Sequence, residues 1–142
     1  MSWDAAKTEA LLARYNAAWN AHDLDAILGL HADGFVFQNH TSGGLAADPD
    51  AVRKIIGGVF ATFPDIDFSA RRAYFAEAFA AVEWTATSTF ANPITRGEVT
   101  LKPTGQKIAW NGADIFAIRD GLVARKDVYT DALTFLAQIG AR

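Results

Sequence analysis

The stretch GQKIAWNGADIFAIRDGLVARKDVYTD, Gly105 to Asp131, decides the fold. Its first arm, Lys107 to Arg119, mixes β-branched and aromatic residues with small ones, and the second, Leu122 to Thr130, does the same after Asp120-Gly121. Asp-Gly between two such arms is a strong turn signal, because Gly tolerates the positive φ that a type I′ turn or an αL bulge demands. The stretch predicts a long hairpin. Asp114 is its odd residue, set by the two-residue strand period on one side with Trp110, Gly112, Phe116 and Ile118. If that side is covered, Asp114 is a carboxyl group among apolar neighbours, a setting that raises its pKa and suits a proton donor. If it is not, the residue faces water or caps a neighbouring loop.

On either side of the hairpin the pattern continues. Asp131 can cap a terminal helical turn, Ala132 to Ile139, with Gly140 as its stop. Upstream, Pro93 to Gly105 is a connection with a short strand at Glu98 to Leu101, closed by the Pro103-Thr104-Gly105 turn. Before it, Ile66 to Phe75 and Phe79 to Asn92 read as two long strands around Ala76-Glu77-Ala78. The second alternates: Val82, Trp84, Ala86, Ser88 and Phe90 share one face, and Glu83, Thr85, Thr87 and Thr89 the other.

The first half reads as helices and one strand. Leu11, Leu12, Tyr15, Ala18 and Trp19 recur at helical spacing between Trp3 and Asn20, so the Tyr15 hydroxyl enters the interior and needs a partner there, for a buried Tyr usually a backbone carbonyl. Asp23 can cap a short helix from Leu24 to His31, and FVFQN, Phe35 to Asn39, is the first strand. His40 to Ala47 is a Gly-rich polar loop placed where a strand end can meet a ligand. Asp48-Pro49 then opens a helix with the apolar stripe Val52, Ile55, Ile56, Val59, Phe60 and Phe63, ended by Pro64.

Composition narrows the function classes. The chain has 142 residues, enough for a single domain from 1 to 142, and 51 % of them are hydrophobic. A net charge of −3 with mixed signs leaves no basic stripe for nucleic acid and no cationic amphipathic stretch for a membrane surface. The absence of Cys excludes disulfides and thiolate chemistry and fits a reducing cytoplasm. The three His lie apart, and none pairs with a carboxylate at metal-ligand spacing, so no metal is expected. No apolar run opens the sequence, so neither a signal peptide nor a membrane span is expected.

Helices first and strands last argue for α+β, an antiparallel sheet with its helices on one face. Long strands favour a curved sheet, and one wrapped around a helix leaves a cone. Tyr15, Phe35, Phe37, Trp84, Trp110 and Phe116 would line it and suit a small apolar ligand, or else fill it as a packed core.

LLARY at Leu11 to Tyr15, HDLDAILGLHAD at His22 to Asp33, TFPD at Thr62 to Asp65, PTG at Pro103 to Gly105, DGLVARKDVYTD and the closing LAQIG follow in an order and spacing that resemble the nuclear transport factor 2-like superfamily. That superfamily includes ketosteroid isomerase, the polyketide cyclases of the nogalonic ester type and limonene epoxide hydrolase. The resemblance implies a cone-shaped fold, a homodimer and chemistry without a cofactor. It sets Tyr15 at the isomerase's hydroxyl donor and Asp114 at its second donor, a carboxylic acid kept neutral by apolar surroundings. Asn39 stands where the isomerase has its base, and an amide cannot take a proton at neutral pH. His40 follows and titrates in the right range. Against the cyclases, the catalytic Asp of the last strand falls on Val128, with Asp127 one place away, and their His falls on Asp114.

Three functions stay open at this point. One is acid–base chemistry on an enolisable carbonyl compound, isomerase- or cyclase-like, with Tyr15 and Asp114 on the enolate, His40 or Asp127 moving the proton, and Phe35, Phe37, Asn39, Trp84, Trp110, Phe116 and Val128 around the substrate. Another is an epoxide hydrolase of the limonene epoxide type. The last is a non-catalytic dimeric domain that binds an apolar ligand.

Overall fold

The hairpin forms, and the sheet grows from it. The computed structural model describes residues 2–140. In chain order the elements are α1 (Ala5–Asn20), α2 (Leu24–Gly29), β1 (His31–Asn39), β2 (Gly44–Ala46), α3 (Pro49–Thr62), β3 (Asp67–Phe75), β4 (Phe79–Thr89), β5 (Ile94–Arg96), β6 (Val99–Leu101), β7 (Lys107–Arg119), β8 (Leu122–Thr130) and α4 (Ala132–Ile139). β7 and β8 pair antiparallel from Gly112 opposite Thr130 to Arg119 opposite Leu122. Asp120 and Gly121 both take positive φ between them, at 55° and 72°. The turn residues therefore did select the turn.

Six strands form one sheet in the order β2-β1-β8-β7-β4-β3, and β5 and β6 form a separate ribbon. The alternation expected of β4 holds: Trp84, Ala86, Ser88 and Phe90 are buried. Helices α1 and α3 lie against the inner face, and Leu11, Ile27 and Ile56 from the helices meet Phe90, Ile108 and Val123 from the sheet side in one core. A mixed α+β fold with a curved, unclosed sheet follows. The periodicities explain it, because each strand has one apolar face to cover and each helix one apolar stripe to cover it with.

Four local expectations need correction. The sheet is not wholly antiparallel, since β1 runs parallel to β8 from Val36 opposite Arg125 to Asn39 opposite Val128. Side-chain alternation marks a strand but says nothing about the direction of its neighbour. The second helix ends at Gly29, not His31, because the Leu30 carbonyl accepts from Val123 N–H and His31 joins the sheet. Between His31 and Val36 the register shifts, with Gly34 at φ 76°, so the strand begins four residues earlier than FVFQN, through a bulge. The Gly-rich loop contains β2, and the connection after β4 contains β5 as well as β6. Three-residue strands are too short for a period to show.

Helix starts follow side-chain chemistry. Asp4, Asp23, Asp48 and Asp131 each accept a backbone N–H three residues on. Asp48→Ala removes such a cap ahead of Pro49, and a loss of about 1 kcal/mol is expected in urea melts. No change in midpoint would mean that Pro49 and packing alone set the start of α3.

Candidate functional site

Between the inner face of the sheet and helices α1 and α3 lies a cavity of about 540 Å³. Its walls are largely apolar and rich in aromatic rings, and the pairing of β7 with its neighbours sets which side chains enter. Asp114 sits opposite Val82 on β4 and Val128 on β8, while Phe116 sits opposite Lys126. Two residues from Val128 along β8, Lys126 shares the inner face. It is 6 % exposed, as buried as the apolar residues around it, and Asp114 is 8 % exposed. Their Nζ and Oδ2 atoms lie 3.7 Å apart.

The surroundings of this pair act on both charges. The Lys126 ammonium lies 3.9 Å from the centre of the Trp19 ring and within 6 Å of the Tyr15, Phe37 and Phe116 rings. Aromatic faces attract a cation, so the cage partly replaces lost water. Burial nonetheless pushes the Lys126 amine down from its ordinary value, and the Asp114 carboxylate only partly offsets this. Burial pushes the Asp114 carboxyl up, against the pull of Lys126. The two groups thus approach each other in proton affinity.

Three buried side-chain polar atoms among the described residues have no hydrogen-bond partner: Trp19 Nε1, Trp84 Nε1 and Asp114 Oδ1. All three residues line the cavity. Unpaired buried polar atoms are uncommon in native proteins, and here they cluster at one cavity; the Trp84 indole still lies close enough to pull the Asp114 pKa down, as the Trp19 indole does for Tyr15.

The other residues singled out in the sequence divide into two groups. Tyr15, Phe37, Asn39, Trp84, Trp110, Phe116 and Val128 line the cavity with Asp114. The Tyr15 hydroxyl, however, pairs with His31 Nε2 at 2.9 Å rather than with a backbone carbonyl. Asn39 Oδ1 accepts from the Thr41 and Ser42 N–H groups, which fixes the turn into β2. Phe35 is buried behind the cavity wall, stacked on His31 at 3.6 Å. His40 and Asp127 meet each other at 2.7 Å, but neither lines the cavity. Asp127 also accepts from the Arg125 guanidinium, which is the main cause of its lowered pKa. Two strand periods explain that placement, since Lys126 and Val128 point in and Asp127 points out.

His31 does not line the cavity but supports it from behind through Tyr15. Burial first, and Lys126 second, lower its pKa to about 3. An imidazole held neutral in the fold but protonated at its ordinary 6.5 when unfolded stabilises the protein above 6.5, and that contribution is lost as pH falls toward 3. We expect wild-type stability to drop by about 2 kcal/mol more between pH 7 and pH 5 than that of His31→Gln. Parallel pH dependences of the two proteins in urea melts would contradict the neutral buried imidazole.

The comparisons agree with the fold. A family profile described as SnoaL-like domain matches residues 12–126. AclR of Streptomyces galilaeus, provisionally named a hydroxylase, superposes with a TM-score of 0.83 at 23 % identity, covering 97 % of this chain and 87 % of its own. A protein of Jannaschia sp. CCS1, provisionally named a SnoaL-like polyketide cyclase, gives 0.82 at 19 % identity, covering 100 % and 96 %. A protein of Catenulispora acidiphila DSM 44928 with a ketosteroid isomerase-like fold, bound to trimethylamine, gives 0.76 at 17 %, covering 93 % of each chain. Such identities establish the fold alone. No curated protein matches. With a profile match over residues 12–126 and the cone built as described, the chain belongs to the SnoaL-like domain family of the nuclear transport factor 2-like superfamily.

Proposed function

We propose that the cavity binds a small, flat, largely apolar carbonyl compound and enolises it by acid–base chemistry, without a cofactor, through Asp114 and Lys126. The observation that supports this reading is the buried Asp114–Lys126 pair, 3.7 Å apart and set in an aromatic cavity of about 540 Å³. The ammonium offers positive charge where an enolate oxygen develops, and the carboxylate takes the α-proton. In a cavity with largely apolar walls both effects act at lowered dielectric, and general acid–base catalysis supplies on the order of 10²–10⁴-fold. The roles first considered for His40 and Asp127 pass to this pair, because neither of those residues lines the cavity.

The test is α-proton exchange of 2-tetralone in deuterated buffer, followed by NMR. Wild-type protein is expected to exchange the α-protons well above the buffer rate, and Asp114→Asn to lose about 10²-fold or more of that gain. Exchange at the buffer rate, or an Asp114→Asn variant as fast as wild type, would overturn the reading.

The same reading includes a homodimer. On the outer face of the sheet Tyr74, Phe79, Ile115 and Tyr129 are exposed large hydrophobic residues, a patch that a second copy of the chain would cover. Small-angle scattering at micromolar concentration is expected to give the mass of two chains. A monomer's mass would remove the claim.

A further inference from the structure

Resting on the carbonyl reading above, we propose that Lys126 is a covalent nucleophile: its amine forms an iminium with an aldehyde or unhindered ketone held in the cavity, with Asp114 as its proton relay. Lys126 is the lysine that lines the cavity. Lys54, Lys102 and Lys107 are exposed and Lys7 half-exposed, so none of them shares this apolar setting. A nucleophilic amine must shed its proton at working pH. Desolvation in an apolar pocket is one way a protein achieves this.

The neighbours of Lys126 match the needs of each step. Asp114 Oδ2, 3.7 Å from Nζ, takes one ammonium proton and frees the nitrogen lone pair. The lone pair attacks the carbonyl carbon and the C=O π electrons move to oxygen. Asp114 returns its proton to that oxygen, and the nitrogen loses a second proton to the carboxylate, giving a neutral carbinolamine. Protonation of the carbinolamine hydroxyl by Asp114 expels water as the C=N bond forms. The product is an iminium cation, and the rings of Trp19, Tyr15, Phe37 and Phe116 that surround the ammonium can surround that cation equally. Asp114 is then again a carboxylate beside the iminium, positioned to remove the α-proton and leave an enamine. Asp114 Oδ1, which has no partner in the fold, is the acceptor for that proton. An iminium makes the α-proton more acidic than a free carbonyl does. The covalent step thus deepens the enolisation and restricts substrates to carbonyls open enough for an amine to reach.

The experiment incubates the full chain with 2-tetralone and sodium cyanoborohydride near pH 7 and maps the reduced adduct by peptide mass spectrometry. A single secondary-amine adduct is expected at Lys126, absent in Lys126→Arg and in Lys126→Met, with α-proton exchange reduced at least 100-fold in both. Lys126→Arg keeps a cation beside Asp114 but cannot form the iminium, so it separates charge from covalency. Near-wild-type exchange in folded Lys126→Arg, or rapid exchange by wild type without an adduct at Lys126, would overturn the covalent step and leave the acid–base reading standing. Neither exchange nor adduct would overturn both.

Discussion

Lys126→Met is expected to lower stability by about 3–5 kcal/mol at pH 8, and by clearly less at pH 5. Met fills nearly the same space as Lys, so lost packing contributes little. What remains is the Asp114 carboxyl, 8 % exposed and without its cation. Breaking a buried pair by removing one partner leaves an uncompensated charge, which is where the figure originates. The pH dependence follows from burial, which raises the Asp114 pKa already in the wild type against the pull of Lys126. With Lys126 gone, the folded value rises further above the unfolded one. The folded state then binds more protons than the unfolded state over that window, so stability is full below the unfolded value and is lost as pH rises. Removing both partners, as in Lys126→Met with Asp114→Leu, is expected to restore stability to the wild-type level or above it, since apolar replacement of a buried pair is often neutral or stabilising. Urea melts of the three proteins at both pH values decide the matter. A Lys126→Met loss that is independent of pH would contradict the account.

Gly112→Ala carries the other large effect. A Cβ at position 112 would stand 2.3 Å from both Cη2 and Cζ2 of Trp84, which sits directly opposite on β4. No rotamer adjustment of a few tenths of an ångström relieves that. The indole must swing away, and it is held on its other side by Phe68, whose ring packs edge-on at 5.3 Å. Overpacking of a core commonly costs about 1–3 kcal/mol, and here the clash lies between a backbone-fixed atom and a rigid ring, so about 3 kcal/mol is expected. The near-ultraviolet circular dichroism of tryptophan should change with it, because Trp84 must leave its site. Combining Gly112→Ala with Trp84→Leu should recover most of the loss. An unchanged melting temperature in Gly112→Ala would show that Trp84 does not lie over Gly112.

The sequence reveals these two sites unequally. Asp114 stands out because a carboxylate breaks an apolar strand face, and the two-residue period places it inward with Phe116. The same period, counted back from Val128, places Lys126 inward too. That signal is present in LVARKDVYT but is weak, because a lysine on a strand next to an arginine and an aspartate reads as part of a solvated face. Only the partner strand, with Phe116 opposite Lys126, shows that the face is covered. Tyr15 was legible as an inward hydroxyl. Its partner was not, because His31 belongs to a bulge at the start of β1 rather than to the end of a helix. His40 and Asp127 show the reverse case. Their residue types suit proton transfer, yet strand geometry turns Asp127 outward to Arg125. The parallel pairing of β1 with β8 has no local signature at all, since it joins residues nearly ninety positions apart.

The most direct measurement is the titration of Lys126 itself, by NMR of protein carrying carbon-13 at lysine Cε. Burial in the aromatic cage predicts one lysine signal that titrates below the other four, and that moves lower still in Asp114→Asn, because the carboxylate is what holds the amine up. Five lysine signals titrating together in the ordinary range, unchanged by Asp114→Asn, would contradict a buried, proton-sharing pair at the centre of this cavity.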